Sequence, residues 1–245
     1  MIALPELDRI LPAVTKPGRY AGHEWNQVHK DWFQAKLKVA LAYPDVYEVG
    51  MSNLGLSILY QELNAQVGVL AERVYAPWPD MEAALRQAGV ALYGLESRLS
   101  LAEFDWVGFG LQYELNYSNV LTMLELGGIP LLASQRAALP DIPLIIGGGT
   151  CTYNPEPLAD FFDLFVIGEG EEVVLQLVEL HHEVMGRHPA DVGEERLQVE
   201  LLVQAEESHQ SGDQQPGAAT AHGKSGRAAG AARGEKRDER RQAVC

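Results

Sequence analysis

Short apolar runs alternate with segments of helical period from residue 37 to residue 182, and this alternation limits the fold of the chain more than any other feature. Leu37–Tyr43 reads as a strand stopped by Pro44. After it, Leu56, Leu59, Tyr60 and Leu63 fall on one face of a helix over residues 54–66, which Ser52 or Asn53 can cap. A strand near Arg73–Ala76 leads through Pro77-Trp78-Pro79-Asp80 into a helix over 81–88 that Gly89 ends. Strands follow at 90–93, 105–111, 143–146 and 164–167, with helices over 115–126, closed by Gly127-Gly128, and over 171–182. Strands and helices in this order predict a doubly wound parallel α/β sheet covered on both faces. Such sheets bind ligands in the crevice outside the carboxyl ends of their strands.

The chain of 245 residues divides into three parts. Residues 1–35 form a Pro-punctuated arm whose aromatic residues, Tyr20, Trp25, Trp32 and Phe33, suit docking on a core. Residues 36–185 form the α/β domain. Residues 186–245 are expected to form a charged, disordered tail, because from Ser208 onward almost no large apolar side chain is present to offset ordering entropy. With 19 basic against 34 acidic residues, the net charge of −15 argues against a nucleic-acid partner, which needs a clustered basic patch. No apolar run reaches the ~18 residues of a membrane span, and Met1 is not followed by a basic and then apolar leader. With two cysteines, Cys151 and Cys245, far apart, these features predict a cytoplasmic protein without a membrane partner.

Two loops fall at strand ends. Asp45-Val46-Tyr47-Glu48-Val49-Gly50 follows the first strand, and Ile146-Gly147-Gly148-Gly149 closes the fourth long apolar run. On the residues alone, Asp45 serves as a loop cap and Tyr47 as packing over the strand ends. The glycines make a tight turn or admit a ligand close to the backbone.

The spacing Asp45-x-Tyr47-x-x-Gly50 matches the Asp-x-His-x-x-Gly motif of cobalamin-binding domains, with Tyr47 at the histidine position. Further matches are Tyr43-Pro44-Asp45-Val46-Tyr47-Glu48-Val49-Gly50-Met51-Ser52-Asn53-Leu54-Gly55, Ala76-Pro77-Trp78-Pro79-Asp80-Met81-Glu82 and Leu111-Gln112-Tyr113-Glu114-Leu115. Asn154-Pro155-Glu156-Pro157 and Val166-Ile167-Gly168-Glu169-Gly170-Glu171-Glu172 complete the set. On these residues the chain, from about Gly18 to Glu183, resembles the N-terminal part of cobalamin-binding-type radical S-adenosylmethionine proteins. The resemblance implies a flavodoxin-like cobalamin domain ahead of a radical-generating barrel, encoded downstream or in trans. In that family the motif histidine binds cobalt from below and the aspartate holds its other ring nitrogen. A neutral phenol at Tyr47 is a poor cobalt ligand. Gly110 stands where these domains often carry a serine that bonds the base of the nucleotide tail, and Gly147 and Gly148 match the paired glycines beside that tail, with Gly149 extending the run.

The resemblance also implies a [4Fe-4S] cluster and S-adenosylmethionine for the full-length family. The Cys-x-x-x-Cys-x-x-Cys loop that would hold the cluster does not occur in this sequence, so the chain is not expected to be catalytic alone. The alternative is a cofactor-free interaction module that retains the fold. Glu96, Glu114 and Glu156 are candidate crevice carboxylates without a fixed partner for acid-base work. The adjacent His181 and His182 face different directions, so they favour the helix dipole over a metal pair.

Overall fold

A computed structural model describes residues 4–139 and 141–185. The 186–245 tail, with Cys245, lies outside the described residues. Among those described, five parallel strands form one sheet: β1 (Leu37–Tyr43), β2 (Val69–Tyr75), β3 (Trp106–Gly110), β4 (Leu144–Gly148) and β5 (Leu164–Phe165), in the order β2-β1-β3-β4-β5. The helices are α1 (Leu4–Ile10), α2 (Tyr47–Gly50), α3 (Leu54–Ala65), α4 (Pro79–Ala88), α5 (Tyr117–Leu126), α6 (Ala133–Arg136) and α7 (Gly170–Met185). The chain moves outward from β1 to β2, then reverses to build β3, β4 and β5 on the other side. The reversal places a topological switch point at the carboxyl ends of β1 and β3.

Local chemistry sets the helix ends. The Asn53 side chain accepts a 2.8 Å hydrogen bond from the Leu56 amide and so caps α3. Pro79 takes the first turn of α4, and Gly89, in the left-handed conformation at φ +64°, ends it. Both faces of the sheet are buried, which is why β1 reads as an apolar run from Val39 to Tyr43. Leu37, Val39 and Leu41 pack under α3 and α7, while Ala40, Ala42, Val107 and Phe109 pack under α4 and α5.

The segment anticipated as a strand at 90–93 pairs with no sheet strand. It runs extended and buried beside α5, with Leu92 N–H donating to Leu126 O, and only Tyr93 makes an isolated bridge, to Ser100. Hydrogen bonds to a helix end and a loop meet its backbone needs, so no sheet ladder is required.

Side chains and loops cover the outer edge of β2. Asn64 donates to Ala71 O and accepts from Ala71 N–H, Glu96 accepts from Arg73 N–H at 2.8 Å, and Lys30 Nζ donates to Val69 O at 2.6 Å. An edge satisfied in this way offers no template to another chain. The N-terminal arm passes around this edge. Its α1 adds Leu7 and Ile10 to the core beneath α4, and Trp32 stands edge-on to Phe104 at 5.0 Å. Tyr20 and Trp32 are docked, whereas Trp25 and Phe33 are exposed.

Candidate functional site

Alternation along β3 and β4 creates a slot between the sheet and its helices. On the face beneath α3 and α7, β3 presents Trp106, Gly108 and Gly110, and β4 presents Leu144, Ile146 and Gly148. Gly108 lies opposite Ile146, and Gly110 lies opposite Gly148. Three glycines therefore stand where side chains would otherwise fill the layer. The result is a groove of about 240 Å³ roofed by Leu56, Leu59 and Leu63 of α3 and by Val174 and Leu177 of α7. Its mouth lies at the carboxyl ends of the strands, among Asn53, Gly55, Gln112, Gly149, Gly168, Gly170 and Glu171.

The walls suit an uncharged, flat or narrow group. Interiors pack to crystal-like density, so an apolar slot of this size is room kept open. It exceeds the ~150 Å³ of an apolar cavity that holds benzene. Glu171 brings a carboxylate to the mouth and works against an anion there.

The anticipated site residues separate into two groups. Gly110, Gly148 and Gly149 line the groove; Asp45, Tyr47, Gly50 and Gly147 stand outside it. A Cβ on Gly148 would meet nothing within 4 Å, and one on Gly110 would touch the Tyr43 ring at 3.4 Å. Gly149 adopts φ +104°, and a Cβ there would lie 2.8 Å from Leu111 O, so this turn requires glycine. The neighbouring Gly147 faces the opposite side of the sheet, where its missing Cβ makes room for the Phe165 ring and Leu111. Gly50 likewise admits the Tyr75 ring.

Asp45 and Tyr47 have separate partners. Asp45 accepts from Val46 N–H at 2.7 Å and from Asn116 Nδ2 at 3.3 Å, and Asn119 donates to Pro44 O at 2.9 Å. These contacts tie the loops after β1 and β3 together across the switch point. The Tyr47 hydroxyl donates to Glu24 Oε1 at 2.8 Å, and its ring stands edge-on to Tyr75 at 5.6 Å. Burial first, and then the Glu24 hydrogen bond, push its pKa up to about 12. The phenol therefore stays neutral at physiological pH.

The other anticipated groups stand apart from the groove. Glu96 is buried in an ion pair with Arg73 at 2.7 Å, away from the groove, and Glu114 and Glu156 are exposed. His181 packs edge-on to Trp106 at 5.3 Å, and burial holds its imidazole below the ordinary pKa. Among the described residues, no three His, Cys, Asp or Glu side chains gather as a metal site, and no helix is long and apolar enough to cross a membrane.

A family model described as radical SAM proteins, N-terminal, matches residues 55–201, more than half of the chain. The chain belongs to this radical SAM N-terminal family. An uncharacterized protein of Methanocaldococcus jannaschii is 27% identical over 150 residues, which make up 60% of this chain and 28% of that protein. The matched stretch thus spans less than a third of the relative. Nearly all of the groove's roof and mouth lies within the family region, from Gly55 to Leu177. The motif loop at 45–50 lies ahead of it. Sequence reading missed Gly108, Gly55, Gly168 and Gly170 as groove residues. The alternation in Trp106-Val107-Gly108-Phe109-Gly110 carried the signal for Gly108, because Trp106, Gly108 and Gly110 share one face.

Proposed function

We propose that this radical SAM N-terminal domain is a cobalamin-binding module that holds the cofactor by its nucleotide tail and acts with a radical barrel supplied by a separate stretch of polypeptide. The observation that carries the reading is the glycine-lined apolar groove opening at the carboxyl ends of β3 and β4. The strand order β2-β1-β3-β4-β5 supports a flavodoxin-like sheet, whose ligands sit at this end. Gly110 and Gly148 would flank the uncharged base of the tail, with Leu56, Leu59, Val174 and Leu177 against it, while the tail's phosphate would stay outside the mouth, clear of Glu171. Bound cobalamin supplies cobalt-centred methyl or electron chemistry; this chain's residues hold the tail and keep water from it. The iron-sulfur cluster and S-adenosylmethionine belong to the barrel.

Titration of the full chain with hydroxocobalamin, followed by thermal melting, tests the reading. A ligand that binds only the native state raises the melting temperature by mass action, by about 2.7 kcal/mol of stability at a hundredfold excess over Kd. Saturable binding with that rise is expected. A flat melting curve to millimolar ligand overturns the reading. It would favour the second one, a cofactor-free interaction module, for which the engagement of the Tyr47 hydroxyl by Glu24 speaks.

A further inference from the structure

Every residue of the 45–50 loop that the cobalamin motif singles out is engaged in holding protein. Asp45 staples the loop to Asn116, Tyr47 reaches Glu24 of the arm, and Gly50 lets the Tyr75 ring lie against α2. Glu48, between them, accepts from Lys16 Nζ and Arg19 Nε, both at 3.0 Å. Those two hydrogen bonds, Lys16 first, draw its pKa down to about 2. Two neighbouring residues of one short helix therefore grip the arm at points five and eight residues apart, at Arg19 and Lys16 on one side and Glu24 on the other.

From these points the arm continues on both sides. Thr15 N–H donates to Asp80 Oδ2 at 2.7 Å at the start of α4, and Trp78 N–H donates to the Tyr20 hydroxyl at 3.1 Å. Further on, Arg73 Nη1 donates to Asn26 Oδ1 at 3.0 Å, Val28 N–H donates to the Tyr60 hydroxyl at 2.9 Å on α3, and Lys30 Nζ donates to Asn64 O at 2.6 Å at the end of α3. The arm thus straps α4, on one face of the sheet, to α3, on the other, around the edge strand β2. The 45–50 loop lies at the middle of the strap.

We propose that this loop is the buckle of the strap, with Tyr47 and Glu48 as the residues that position the arm, and that it gives no ligand to a metal. The first part stands on the contacts alone. The second rests on the cobalamin reading: a corrinoid seated by its tail in the groove would receive no side chain from Tyr47, whose hydroxyl and ring are both taken up by the arm and Tyr75.

Hydrogen–deuterium exchange of the full chain, with and without hydroxocobalamin, tests both parts. Tyr47→Phe removes one charge-assisted hydrogen bond, so amide exchange over residues 19–28 should rise by about ten-fold. Exchange in β3 and β4 should stay unchanged. Glu24→Ala, which leaves the Tyr47 hydroxyl without its acceptor, should raise the same amides, and the double variant should add little to either single change, because both remove one interaction. In the second arm, Tyr47→His offers the ligand that the motif would carry. The visible spectrum of bound corrinoid should be the same for the wild type, Tyr47→Phe and Tyr47→His.

Wild-type exchange over 19–28 in both Tyr47→Phe and Glu24→Ala overturns the buckle. A histidine-ligated spectrum in Tyr47→His, absent from the wild type, overturns the second part. If no corrinoid binds, exchange alone decides the proposal and only the cobalamin reading fails.

Discussion

Gly147 and Gly148 are neighbours in sequence and opposites in structure, because successive residues of a strand face opposite sides of the sheet. Gly147→Val would drive its Cβ into the Phe165 ring, 2.8 Å away, and should cost about 1–3 kcal/mol by overpacking. Gly148→Val enters open space at an ordinary φ and should leave the melting temperature within about 0.5 kcal/mol of the wild type. Equal destabilisation of the two variants in urea melts would contradict this placement of faces.

Glu72 offers a second test at this scale. It is 2% exposed, and Ser97 donates to its Oε2 from both the backbone amide and the hydroxyl. Burial nevertheless pushes its pKa up to about 7. The folded state therefore holds a proton that the unfolded chain has already released between pH ~4.3 and 7. Stability from this group falls as pH rises through that window, by on the order of 3–4 kcal/mol, and is level above it. Glu72→Gln keeps an oxygen for Ser97 and carries no charge. It should melt a few degrees above the wild type at pH 8, with the gap narrowing by pH 5; the same gap at both pH values would count against the buried carboxyl as its cause.

Among the elements, those with strong local signals were legible in the sequence. Strand β1, the N-terminal cap of α3 and the glycine end of α4 follow from an apolar run, Asn53 and Gly89. Val90–Tyr93 misled because a buried extended segment has the composition of a strand, whereas its pairing is decided by residues elsewhere, here Leu126 and Leu101. The short helix α6 carried no periodic signal and is held by one buried side chain. Arg136 donates to Asp163 Oδ2 at 3.1 Å, to Pro130 O and Leu131 O, and to Phe161 O, so it joins the connections on either side of β4. Arg136→Ala leaves Asp163 and three carbonyls short of a donor. It should cost about 3–5 kcal/mol, read as a lower urea midpoint. A shift below 1 kcal/mol would show that these connections are held by other contacts.

At the scale of the molecule, the parallel sheet and the family were within reach of pattern and resemblance, while the groove and the strap were not. The groove depends on which face each glycine takes and on two helices distant in sequence, α3 and α7, meeting over β3 and β4. The strap depends on contacts between residues 23 to 77 positions apart, such as Tyr47 with Glu24 and Arg98 with Ala21. No local spacing encodes either. The motif at 45–50 was legible as a spacing, yet its side chains turn toward the arm, because Tyr47 finds both an apolar neighbour in Tyr75 and an acceptor in Glu24.

One comparison separates a groove for the nucleotide tail from any other mode of corrinoid binding. The full chain, wild type and Gly148→Val, is titrated with hydroxocobalamin and with cobinamide, which has the corrin ring without the nucleotide tail. The wild type should bind hydroxocobalamin saturably and cobinamide at least about ten-fold more weakly, and Gly148→Val should lose about 1–3 kcal/mol of the hydroxocobalamin affinity while melting as the wild type does. Equal affinity of the wild type for the two corrinoids, or undiminished binding by Gly148→Val, would contradict the tail groove.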